Sequence, residues 1–150
     1  MSREQLMAGL FGQVFLLARR WEALGDRELE GTGVTTKQWM VLAATGTLFD
    51  HPPSLKEVAR ALGTSHQNVR AIADRLVARG LLSLERDPGD RRVKRLHLTE
   101  ANRRFWDARG DRDREFIARL HQDLDDAELA ELHRLVAKVV ERAAVLLQQG

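Results

Sequence analysis

The chain has 150 residues, with 24 Lys and Arg against 22 Asp and Glu for a net charge of +2, and no cysteine. That length permits a domain with a core of its own, while the missing thiols exclude disulfide frameworks, thiolate zinc sites and cysteine redox sensing. At 43% hydrophobic and 31% charged residues, with no run of about 18 apolar residues and no signal-peptide layout in Met1-Ser2-Arg3-Glu4-Gln5, the expectation is a soluble cytoplasmic protein without a membrane partner.

Leu6, Leu10, Phe11, Val14, Phe15, Leu17, Ala18 and Trp21 recur at helical spacing, predicting a long amphipathic helix over residues 3–29 that ends near Gly31-Thr32-Gly33. Thr35-Thr36-Lys37-Gln38 reads as a capping box for a helix over 36–49, stopped by Asp50-His51-Pro52-Pro53. Ser54-Leu55-Lys56-Glu57 is a second box, opening a short helix that closes at Gly63. Thr64-Ser65 offers the N-cap of the next helix, over 65–79, with Val69, Ile72 and Leu76 as its core direction and Gly80 as its left-handed end.

After Gly80 the period falls towards two. Leu82 and Leu84 alternate with Ser83 and Glu85, and Leu96 and Leu98 with Arg95 and His97, around a turn at Asp87-Pro88-Gly89-Asp90. Thr99-Glu100 opens a helix to about His121. Asp125-Asp126-Ala127-Glu128 starts the last one, whose Leu129, Leu132, Leu135, Val136, Val139, Val140, Ala143, Leu146 and Leu147 form one stripe.

Two helices across a short Gly-containing turn, followed by a basic hairpin, make the winged helix-turn-helix order. Between residues 54 and 104 there are 12 Lys and Arg against 6 Asp and Glu, so the basic charge is concentrated on that segment. Opposite its core direction, helix 65–79 carries Gln67, Arg70, Ala71 and Asp74, flanked by Asn68 and Arg75. Amides can bond adenine bidentately, Arg can bond guanine, and a small Ala admits a thymine methyl; a plain solvated face would also carry polar residues. At the hairpin tip Arg86, Arg91, Arg92, Lys94 and Arg95 crowd within ten residues, and an Arg there can enter a narrow minor groove. Asp90 is expected to orient the neighbouring guanidiniums by accepting their forks. The alternative is a charge-rich turn that only discourages edge pairing.

Asp90-Arg91-Arg92 followed by Leu98-Thr99, the stretch Leu62-Gly63-Thr64-Ser65-His66-Gln67-Asn68-Val69, and the exit Arg79-Gly80-Leu81-Leu82 resemble the MarR family of winged helix-turn-helix regulators. The resemblance implies a homodimer that binds double-stranded DNA through the second helix and wing, with repression relieved by a small ligand. It assigns Asp90 and Arg92 to the wing pair, and Ser65, Gln67, Asn68 and Arg70 to recognition-helix contacts; His66, Ala71, Arg75, Arg86, Arg91 and Lys94 complete the expected DNA surface. It also implies a small aromatic or phenolic effector, for which Phe15, Arg19 and Trp39 are the expected lining, although core packing is the favoured role for Phe15 and Trp39. The family's peroxide-sensing branch needs a cysteine, which this chain lacks.

The expected fold class is therefore mainly α with a small β-hairpin wing: a winged helix-turn-helix core over about 36–98, with dimerisation helices over 3–30 and 100–148, in one domain of 1–150. A compact winged core leaves little to cover the two terminal apolar stripes, which predicts that each packs on its copy in a second chain. No H-E-x-x-H, G-x-S-x-G, P-loop or G-x-G-x-x-G occurs, so neither an enzyme nor a catalytic residue is expected; the five scattered histidines predict no metal site or other cofactor. The expected function is a sequence-specific, ligand-responsive repressor on a pseudo-palindromic operator. The alternatives are a winged module for protein interaction and a small-molecule sensor without DNA binding.

Overall fold

The structure, a computed structural model, describes residues 1–149. It consists of two compact units, one over residues 1–40 and one from residue 41 onwards. In the first, α1 (Arg3–Glu28) starts from a capping box absent from the sequence expectations: the Ser2 hydroxyl accepts from the Gln5 amide (3.2 Å) and Gln5 Oε1 accepts from the Ser2 amide (2.8 Å). Gly31 (φ 81°) and Gly33 (φ 76°) then turn the chain through left-handed backbone that other residues avoid.

α2 (Thr36–Thr47) begins with reciprocal bonds between Thr35 and Gln38, as its T-x-x-Q pattern predicts. Its first turn also draws on α1. Asp26 accepts from the Thr36 amide at 2.7 Å, and the Thr36 hydroxyl donates to the Glu22 carbonyl at 3.2 Å. A Cβ on Gly25 would collide with that hydroxyl, so the glycine permits the close approach.

The second unit is built around Val41 and Leu42 of α2, Leu55, Val58 and Ala59 of α3 (Leu55–Leu62), Val69, Ala73 and Leu76 of α4 (His66–Ala78), and Leu81, Leu82 and Leu96 of the hairpin, all buried. Each large member contributes about 1.5–3 kcal/mol by leaving water. Ser54 and Glu57 close the capping box of α3 (3.2 and 2.7 Å), Gly63 ends it at φ 64°, and Ser65 caps α4. Gly80 (φ 73°) ends α4 in a Schellman motif, its amide donating to Val77 O and that of Leu81 to Leu76 O.

Strands β1 (Leu82–Arg86) and β2 (Lys94–Leu98) pair antiparallel, with Leu82 opposite Leu98, Leu84 opposite Leu96 and Arg86 opposite Lys94. The hairpin has a third contributor that period-2 reading did not reveal. Ser54 forms an antiparallel bridge with Arg95, and the Leu96 amide donates to Pro53 O at 2.8 Å, so the linker before α3 adds a rung to the wing. Two burial expectations need correction. On α4 Ile72, one of the residues that set the expected core direction, is only half-buried, while its apolar neighbour Ala73 is fully enclosed; on β2 Leu98 remains 40% exposed, although its methyl lies against Gly46 of α2.

α5 (Glu100–Leu120) is capped by Thr99, whose hydroxyl accepts from the Asn102 amide and donates to Gly80 O (2.6 Å). Asn102 is buried, with its carbonyl satisfied by the Trp106 indole at 2.9 Å. α6 (Asp126–Gln148) opens with an Asp125/Glu128 capping box and buries none of its residues.

Candidate nucleic-acid interface

Every expected recognition-helix residue falls on α4 or its cap, on one outward side. Ser65 is the N-cap, its hydroxyl accepting from the Asn68 amide at 3.1 Å. Asn68 sends Nδ2 to the Thr64 hydroxyl (2.9 Å), so its amide plane is oriented before any ligand arrives. His66, Gln67, Ala71 and Arg75 are exposed and Arg70 is half-exposed. The N-terminus of α4 lies on this exposed side, and a helix N-terminus is a region of positive potential suited to phosphate.

The wing carries the opposite kind of device, a cationic tip on a tightly bonded base. Arg91 and Arg92 stand at the tip, with the Arg92 side chain 96% exposed. Arg86 is exposed and donates to Arg91 O at 2.9 Å across the turn. Lys94 lies opposite Arg86 and is half-buried.

The expected role of Asp90 is corrected here. Its carboxylate accepts from the Arg92 backbone amide at 3.1 Å, whereas Arg92 Nε is 3.9 Å away, outside hydrogen-bond range. Asp90 therefore shapes the turn as an Asx-type cap and attracts the guanidinium without gripping it. The acid that does grip an arginine is Asp87. One of its oxygens accepts from the amides of Gly89 and Asp90, and the other from Arg95 Nε at 2.8 Å. Held first by Arg95 and then by those amides, its carboxyl lies below the usual aspartate range.

Arg95 is the residue that sequence reasoning counted but did not place. Its Nη1 donates to Pro52 O (3.2 Å) and to Glu57 (3.1 Å), joining the wing to the N-terminus of α3. Glu57 also accepts from His51 Nε2 at 2.9 Å, and His51 Nδ1 meets Asp50 at 2.8 Å. The Ser54 amide is the chief reason that the Glu57 pKa falls to about 2, with His51 adding to it against partial burial. Asp50 and then Glu57 raise the pKa of His51 above its ordinary value. This chain of charges borders an open cleft of about 470 Å³ lined in part by His51, Pro52, Arg95 and His97. Among the described residues no group of three or more His, Cys, Asp or Glu could hold a metal ion.

Of the residues expected at an effector site, all three lie in the unit of residues 1–40. Phe15 is 61% exposed and packs edge-on against Phe11, with ring centroids 4.9 Å apart. Arg19 pairs with Glu22 at 3.1 Å, and Glu22 also meets Lys37 at 3.4 Å. Neither contact involves Trp39, which is 45% exposed.

Two helices, a left-handed glycine turn and a basic wing bonded to the N-terminus of the first helix define a winged helix-turn-helix protein. Residues 32–93 match the sequence profile of the MarR family. The chain is 33% identical over 125 residues to an uncharacterized protein of Mycobacterium tuberculosis, a match covering 83% of this chain and 82% of that one. It is 29% identical over 107 residues to the transcriptional activatory protein BadR of Rhodopseudomonas palustris, covering 71% of this chain and 61% of BadR. Its fold is similar to that of Bordetella bronchiseptica BpsR, whose DNA binding is regulated by 6-hydroxynicotinic acid (TM-score 0.74, 24% identity, 87% of this chain and 98% of that one). The chain belongs to the MarR family and is a transcription regulator of the winged helix-turn-helix type.

Proposed function

We propose that the protein is a homodimeric, sequence-specific double-stranded-DNA-binding repressor, released from a pseudo-palindromic operator by a small aromatic or phenolic effector. The observation that carries this reading is the pairing of an outward polar α4 face with an exposed Arg91-Arg92 tip on one cross-bonded unit. α4 supplies amides and a guanidinium suited to base edges in the major groove, and the tip supplies cations suited to the adjacent minor groove. A repressor of this kind needs no catalytic group and acts in the cytoplasm; no helix among the described residues is long and apolar enough to cross a membrane.

Dimerisation is supported by the terminal helices. Leu135, Val136, Val139, Val140, Leu146 and Leu147 of α6 are each at least 45% exposed, as are Leu6, Leu10, Phe11, Val14 and Phe15 of α1. Contiguous apolar faces of this length are characteristic of interfaces, and twofold pairing would set the two α4 helices on half-sites about 34–36 Å apart. The effector class is supported by BpsR's regulation by 6-hydroxynicotinic acid, with Phe15, Arg19 and Trp39 as its proposed contacts.

The deciding experiment selects the purified protein against a random duplex pool at about 150 mM salt. An enriched inverted repeat with half-sites about 10 bp apart is expected; recovery of only salt-sensitive, sequence-blind binding would overturn the reading. Within it, Arg92→Ala should weaken operator binding by about 1–3 kcal/mol with the fold intact.

A further inference from the structure

The recognition helix contains one acid, Asp74, on the side that would face an anionic polymer. An isolated carboxylate there opposes DNA binding, so its placement needs a reason. Both of its oxygens accept from Arg70 Nε, at 3.0 and 3.1 Å. The two residues are one helical turn apart, and Cβ vectors on a helix tilt towards its N-terminus, so Asp74 reaches back over Arg70. Both side chains are about half exposed, which makes the pair a weak contributor to stability.

We infer that Asp74 is a positioning residue that sets Arg70 for guanine. An arginine can present to guanine O6 and N7 either its side edge, Nε with one Nη, or its end, both Nη groups. With Nε occupied by Asp74, the end-on edge is the one left to donate, and the guanidinium is biased towards that orientation before the duplex arrives. Ordering a long side chain in advance removes an entropic cost of binding, and the lowered freedom narrows the choice of base. The carboxylate also disfavours the O4 acceptor of thymine at that step whenever the arginine is displaced.

This inference rests on the DNA-binding reading, and the same random-pool selection separates the two. Wild type, Arg70→Ala, Asp74→Ala, Asp74→Asn and the Arg70→Ala/Asp74→Ala double variant are selected in parallel, with thermal unfolding as the check that each is folded. The expected result is one guanine-specified position per half-site that Arg70→Ala abolishes. Asp74→Ala should lower the guanine preference there about tenfold or more and leave the other positions unchanged, with Asp74→Asn intermediate and the double variant no worse than Arg70→Ala. A guanine preference retained in Asp74→Ala would overturn the inference and leave the DNA-binding reading standing. So would a uniform gain in affinity at every position, which marks Asp74 as simple repulsion of phosphate. Absence of any motif with wild type would overturn both.

Discussion

The winged segment and the last helix solve the same problem in different ways. From Pro53 to Thr99 each structural device finds its partner inside the chain: Ser54 and Glu57 cap α3, Gly80 closes α4, Leu96 binds Pro53 O, and Thr99 holds Gly80 O. α6 has a complete capping box and a continuous apolar stripe, yet no residue of it is buried. A helix of 23 residues is held locally by its caps and by pairs such as Glu131 with Arg134, which together supply only about 1–2 kcal/mol. The winged segment finds its caps and core partners within the chain, whereas the apolar stripe of α6 stays uncovered there.

The most disruptive test of that contrast is Val139→Asp. Placed in a twofold interface, the change is made twice, so a loss of about 3–6 kcal/mol per dimer is expected. Sedimentation equilibrium should show dissociation, and an unchanged mass would show that α6 is not the interface. Next is Leu76→Ala in the winged core, where the side chain is fully buried; urea unfolding should report a loss of about 2–5 kcal/mol. If α6 and the core unfold together, the loss will appear in a single transition.

Smaller effects sharpen the picture of the wing base. Glu57→Gln removes the carboxylate shared by Ser54, Arg95 and His51, and should lower stability by about 1–2 kcal/mol. Because the folded pKa of Glu57 is about 2 against 4.5 ordinarily, its contribution is whole above pH 4.5 and is lost as pH falls through 2. His51 titrates with the opposite sign. Its pKa is raised in the fold, so folding takes up a proton, and the contribution, whole below about pH 6.5, fades as pH rises through the folded value. The melting temperature of wild type should therefore fall more between pH 6 and 8 than that of His51→Gln, and parallel profiles would remove His51 from the network.

Much of this architecture can be read from local pattern. Helix ends follow from Ser54, Gly63, Ser65 and Gly80, because caps and left-handed glycines act within four residues of themselves. The outward face of α4 follows from 3.6-residue periodicity. Arg95 was illegible for the corresponding reason: its partners Pro52 and Glu57 lie 43 and 38 residues away, and nothing in strand alternation encodes them. The exchange of roles between Asp87 and Asp90 turns on which carboxylate the turn points at Arg95, a geometric fact with no composition signal. The hold of Asp74 on Arg70 was within reach, since a spacing of four on one helix is a recognised ion-pair register.

The rung between Ser54 and Arg95 has a mechanical meaning. The residue that ends the linker into α3 is the residue that caps α3, and it is stitched to the strand that carries the wing. Tilting the wing alone would tear the cap from the helix, and unwinding the cap would release the wing. A displacement of the wing is therefore passed to the start of α3, and one of α3 to the wing, as a hinge pin passes the motion of one leaf to the other.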